Sequence, residues 1–136
     1  MIKYFSSTDF ELPGQSKISS WLVQAIKKEG YSLQDLAFNF CSDEGLLKIN
    51  QEFLGHDTLT DVITFDYSED KKISGEVFIS IDRVRNNASE FTQDFEVEIR
   101  RVMVHGVLHL CGHKDKSSKD KEAMSDMENF YLDSFS

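Results

Sequence analysis

Two histidines four residues apart, His105 and His109, lie in a run of apolar residues that closes on Gly112, His113, Lys114 and Asp115. On an α-helix, side chains four apart stand one above the other, so both imidazoles can face a single ion. Gly112 follows the last apolar positions and can adopt the left-handed conformation that ends a helix, turning the next residues back toward the imidazoles. Asp115 or His113 would then complete a set of three protein ligands. Three ligands leave a coordination position for water, the arrangement of a catalytic zinc and not of a closed structural one. Cys111, two positions after His109, points to another face of the helix and is a poor third ligand. Ordinary histidines on a buried helix would not call for the glycine turn and the acid beyond it.

The helix bearing the histidines carries Val97, Val102, Met103, Val104, Val107, Leu108 and Leu110 around nearly its whole circumference, so it is expected to be buried and its histidines to need partners. Thr92 or Asp94 is its expected cap, with Glu96 and Glu98 in the first turn complementing the helix dipole. Upstream, residues 2–5 suit a short strand. Pro13-Gly14 marks a turn, and Ile18, Trp21, Leu22, Ala25 and Ile26 recur at helical spacing until Gly30. Residues 36–41 alternate as a second strand. Ser42 or Asp43 caps a helix through Leu46, Leu47, Ile49, Asn50 and Phe53 that ends near Gly55. The polar segment 55–61 reads as an ordered loop, and 62–65 and 73–81 as a hairpin joined by the charged tip 68–72. Glu76 on the return strand is an exposed acid or a carboxylate near the site. A helix over 84–91 and a last helix over 120–132, with Met124, Met127, Phe130 and Tyr131 as core, complete the chain.

With 136 residues and 40% hydrophobic content, the chain is expected to form one domain over 1–136 with a sizeable core. No signal peptide is visible and no run of apolar residues is long enough to span a bilayer, which points to the cytoplasm. Cys41 and Cys111 read as buried thiols. The net charge of −9 disfavours nucleic acid globally. Residues 100–121, however, hold six basic residues (Arg100, Arg101, Lys114, Lys116, Lys119, Lys121) against two acidic ones (Asp115, Asp120), a local +4 around the proposed ion.

The run His105-Gly-Val-Leu-His109-Leu-Cys-Gly112 with a ligand at 115 resembles the signature of the YbeY family of rRNA maturation factors, described as metal-dependent endoribonucleases. Residues 50–53, Gly55, Asp57, the segment 60–65, the segment 75–79 and Arg100-Arg101 also resemble family blocks. The resemblance implies an α+β fold, a small mixed sheet of about four strands packed with about five helices, and a zinc held on the buried helix and the loop after it. It also implies single-strand endoribonuclease activity in rRNA maturation and ribosome quality control, with ribosomal RNA and small-subunit ribosomal proteins as partners. The chain departs from the family pattern twice. Asp115 stands where the family has a third histidine, and register makes it the third ligand, with His113 as the alternative. A carboxylate there admits iron, nickel or manganese beside zinc. Leu54 replaces an arginine associated with the RNA phosphate, leaving His56, Arg101 or Lys114 to bind substrate. A small zinc peptidase is the rival hydrolase, but Gly106 stands where such enzymes carry their glutamate base. A ribosome-assembly factor with a structural metal is the rival outside catalysis.

Overall fold

The computed structural model describes residues 1–135. In chain order the elements are β1 (Ile2–Ser6), α1 (Gln15–Lys28), β2 (Ser32–Cys41), α2 (Asp43–Ile49) running into a π-helical turn (Asn50–Leu54), β3 (Val62–Asp66), β4 (Lys72–Ser80), α3 (Ile81–Glu90), α4 (Phe95–Leu110) and α5 (Ser118–Asp133). The strands form one mixed sheet in the order β1-β2-β4-β3. β1, β2 and β4 run parallel, while β3 pairs antiparallel with β4 in the register Val62↔Ile79 to Asp66↔Gly75. The expected hairpin is present. Its turn places Asp70 and Lys71 in left-handed conformations (φ 50° and 65°), the two positive φ values that suit the twist of a tight hairpin.

One face of the sheet, bearing Phe38, Phe40, Ile73, Val77 and Ile79, is buried against α1 and α4 through Leu22, Ile26, Val104, Val107 and Leu108. Each such side chain removed from water stabilises the fold by roughly 1.5–3 kcal/mol. The opposite face is covered in part by α2, where Leu46 packs on Cys41 and Ile63. No helix among the described residues is long and apolar enough to cross a membrane.

Several boundaries differ from the sequence reading, each for a local reason. β2 begins at Ser32, because its pairing with β4 extends back to Ser32↔Lys72. The return strand stops at Ser80, whose hydroxyl accepts from Arg83 N–H and caps α3, so Ile81 opens the helix instead of closing the strand. α5 begins at Ser118, where Ser117 and Asp120 form a reciprocal capping box. Thr92 has φ 52° and lies outside α4, leaving Asp94 at the cap position without a side-chain cap bond. The helix ending at Gly55 widens into a π turn around Asn50, which is 3% exposed and donates from Nδ2 to the Thr58 carbonyl at 2.8 Å. This bond ties the 55–61 loop to the helix before it.

Candidate metal centre

α4 brings His105 and His109 to one face, and the turn after it returns Asp115 to them. Gly112 adopts φ 93° there, as a left-handed helix end requires. His105 Nε2 and His109 Nε2 lie 3.0 Å apart, and Asp115 Oδ2 lies 3.4 Å from the first and 3.3 Å from the second. An ion ligated tetrahedrally at about 2.0–2.2 Å holds its ligand atoms roughly 3.3–3.6 Å apart, so these three atoms suit one ion with little movement.

The other ring nitrogens show why the rings are aimed this way. His109 Nδ1 is 3.0 Å from the carbonyl of His113, which can only accept, so Nδ1 carries the proton and Nε2 offers a lone pair. His105 Nδ1 is 2.6 Å from Glu128 Oε2, on α5. Glu128 is 7% exposed and also accepts from Arg101 Nη1 at 3.1 Å, while Arg101 Nη2 donates to Asn129 Oδ1 at 2.8 Å. Burial opposes charging His105, but the hydrogen bond and charge of Glu128, with Asp115 and Asp61, outweigh it and leave the imidazole pKa raised.

The three atoms open into a cleft of about 610 Å³ lined by Asn50, Leu54, His56, Thr58, residues 60–64 at the start of β3 and just before it, Asp66 and Lys116. Burial holds the Asp61 carboxyl above its ordinary pKa, an effect that the His105 charge only partly offsets.

A family model described as endoribonuclease YbeY matches residues 5–136. The chain belongs to the endoribonuclease YbeY family. A relative from Flavobacterium psychrophilum, named endoribonuclease YbeY, is 47% identical over 99% of this chain and 96% of its own length. One of the same name from Cytophaga hutchinsonii is 50% identical over 92% of this chain and 88% of its own length. A solution structure of a Thermotoga maritima protein superposes with TM-score 0.65 at 30% identity, covering 98% of this chain and 87% of that one. The α+β fold with five helices on a four-stranded mixed sheet agrees with the family expectation.

Other candidate residues lie elsewhere than the sequence reading put them. His113 faces away from the cleft, its Nε2 2.6 Å from Glu29 Oε1 at the end of α1. It contributes its backbone carbonyl, not its imidazole. Arg101 does not line the cleft; its guanidinium is committed to Glu128 and Asn129 on α5. Lys114 is also outside the lining, and Lys116, two residues on, takes the place expected for it, with His56. Glu76 accepts from the Tyr67 hydroxyl on the other side of the sheet. Glu98 lies in the first turn of α4, as expected of an acid that complements the helix dipole, but it is buried away from solvent. It is 4% exposed, 3.8 Å from Arg101, and its pKa is raised by burial.

Glu128 and Asp61 were missed. A signal for Glu128 was present in the sequence, since it falls on the same helical stripe as Met124 and Tyr131, where a charged residue must find a partner.

Proposed function

We propose that this chain is a metal-dependent endoribonuclease that cuts single-stranded segments of ribosomal RNA in rRNA maturation and ribosome quality control. The convergence of His105 Nε2, His109 Nε2 and Asp115 Oδ2 at the floor of an open cleft carries this reading, together with the activity named for the relatives. Zinc is the ion that suits two imidazoles and one carboxylate, with iron, nickel or manganese as competitors. When bound, such an ion supplies Lewis acidity at a phosphoryl oxygen and a more acidic water.

The chain's own residues do the rest. Glu128 and the His113 carbonyl hold the two imidazoles in the tautomer that presents Nε2. Asp115 is the anionic member of the set; with a metal bound it would neutralise part of the ion's charge and leave a bound water less acidic than three histidines would. Lys116 and His56 are the side chains placed to meet phosphate, and ribosomal RNA with small-subunit ribosomal proteins forms the setting. Asp61, half-buried in the cleft wall near His105, is the carboxylate suited to take a proton from the attacking group.

The peptidase reading loses ground on geometry. A Cβ on Gly106 would lie 2.9 Å from Val77 Cγ1 and 3.6 Å from Thr64 Oγ1, so that position is turned to the sheet and has no room for a glutamate base.

Metal analysis of the purified protein is expected to find stoichiometric metal, lost in both His105→Ala and Asp115→Ala and kept in His113→Ala. Wild type should cut single-stranded rRNA segments and His109→Ala should not. Equal cutting by both would refute the nuclease reading, and metal loss in His113→Ala alone would overturn the ligand set.

A further inference from the structure

The metal cleft runs along the free edge of the sheet. β3 is the last strand, and the bonds from Ser80 N–H to the Asp61 carbonyl (2.9 Å) and from Tyr67 N–H to the Ser74 carbonyl (2.8 Å) fix the phase of its pairing with β4. In an antiparallel pair, alternate residues exchange both backbone bonds with the partner and those between them turn both groups outward. Asp61, Ile63, Phe65 and Tyr67 are therefore the residues bonded to β4, and the backbone groups of Val62, Thr64 and Asp66 face the cleft that all three line. The Val62 carbonyl is used locally, accepting from the Thr60 hydroxyl at 3.3 Å. At Thr64 no hydrogen bond among the described residues engages either outward group. Thr64 also lies over Gly106, the residue next to His105.

We infer that the outward N–H and C=O of Thr64 form a docking edge for one unpaired base of the RNA strand, beside the metal site. This inference rests on the nuclease reading and names how that site selects its substrate.

A single strand residue presents a donor next to an acceptor. The Watson–Crick edge of each RNA base offers a matching pair: N3–H beside a carbonyl in uracil, N1–H beside O6 in guanine, an amino group beside a ring nitrogen in adenine and cytosine. Any base can therefore dock, and a base within a duplex cannot, because its edge is already occupied. Selectivity for single strands without selectivity for sequence follows from the backbone alone. The charge around the cleft points the same way. Among the described residues Lys116 is the one lysine lining it, and Asp61, Asp66 and Asp115 line it too, so phosphate attraction is too weak to supply most of the grip.

The test compares binding of the metal-loaded protein to oligodeoxyuridylate, to the same strand with N3-methylated uracils, to an abasic strand and to the strand annealed to its complement. Fluorescence anisotropy gives affinity, and amide chemical shifts locate the contact. Methylation removes the N3–H without changing charge, and is expected to weaken binding by about tenfold, the scale of one hydrogen bond. The abasic and duplex ligands should lose at least as much, and the Thr64 amide should shift with the unmodified strand. In Thr64→Pro, which removes an N–H that β4 does not use, the discrimination against methylated uracil should vanish while bound metal is retained. Equal binding of methylated and unmodified strands overturns the docking edge, as does a Thr64 amide moved by a basic peptide but not by the nucleic acid. Cleavage of oligouridylate is scored separately: a strand that is cut but shows no discrimination sinks only the docking edge, and one that discriminates but is not cut sinks only the nuclease reading.

Discussion

At the scale of single residues, the candidate metal site depends on groups beyond its three ligand atoms. Glu128 joins α5 to α4 by accepting from both His105 and Arg101, and its removal leaves a guanidinium and an imidazole without their buried partner. Glu128→Ala is therefore expected to weaken metal binding by roughly 10–100-fold in chelator competition. Glu128→Gln, which can still accept at one oxygen, should fall between wild type and Ala. Asp61 bears on stability. Its pKa in the folded state lies above the unfolded value, so the folded chain binds that proton more tightly, and stability falls as pH rises through the folded pKa. In metal-free protein, Asp61→Asn should raise the urea midpoint at neutral pH and flatten the decline in stability that begins near pH 4, the unfolded value of about 3.9. An unchanged pH profile would mean that Asp61 is solvated. The histidines and Gly112 were legible in the sequence because their roles follow from spacing along one helix and its turn, which left Asp115 and His113 both open as the third ligand. Asp61 was not, since its position beside His105 depends on where β3 lies across α4.

At the scale of elements, α4 is placed by a residue that carries no chemistry. Gly106 lets the helix approach β4 until a Cβ would meet Val77 Cγ1 at 2.9 Å. Gly106→Ala gains helix propensity of about 1 kcal/mol but must displace a fully buried valine in a packed core, where crowding costs about 1–3 kcal/mol, so net destabilisation is expected. Denaturant melts of Gly106→Ala, Val77→Ala and the double variant should show coupling, with Val77→Ala recovering part of the loss. Additive effects would mean that the helix shifts freely. Sequence patterning found α1 with its five buried residues, Ile18, Trp21, Leu22, Ala25 and Ile26, because apolar spacing decides a surface helix. It failed at Ile81, whose apolar side chain fits strand and helix alike; the Ser80 cap, bonded also to Asp43 at 2.7 Å, makes the choice.

At the scale of the whole molecule, an acidic chain places its candidate metal cleft along a sheet edge and buries both of its thiols. Cys41 is pushed up to about 11 by burial and then by Asp43 and Asp82, and Cys111 to about 12 by burial and then by Glu29 and Asp66. Both are free. Neither thiol should react appreciably with a disulfide reagent at pH 8 in the native protein, and both should react once it is unfolded in urea. Rapid native labelling of either would show that the core opens around it. The local excess of base over residues 100–121 does not gather into one patch at the cleft. Arg101 is tied to α5, Lys114 lies outside, and Lys116 alone of the six lines it. Linear charge density could not reveal this, because whether a basic side chain reaches the cleft or binds a neighbouring acid depends on the element packed beside it.

The sequence by itself determined the periodic helices and strands, the hairpin and the pairing of His105 with His109 ahead of a turn that offers Asp115 or His113, all of which rest on short-range geometry. Only the tertiary structure decided which acid orients His105, that His113 turns to Glu29, that Arg101 braces a helix, and that β3 leaves a bare edge beside the histidines. Those pairings join residues 23 to 84 positions apart, and they exist only where packing of the apolar faces brings their elements together.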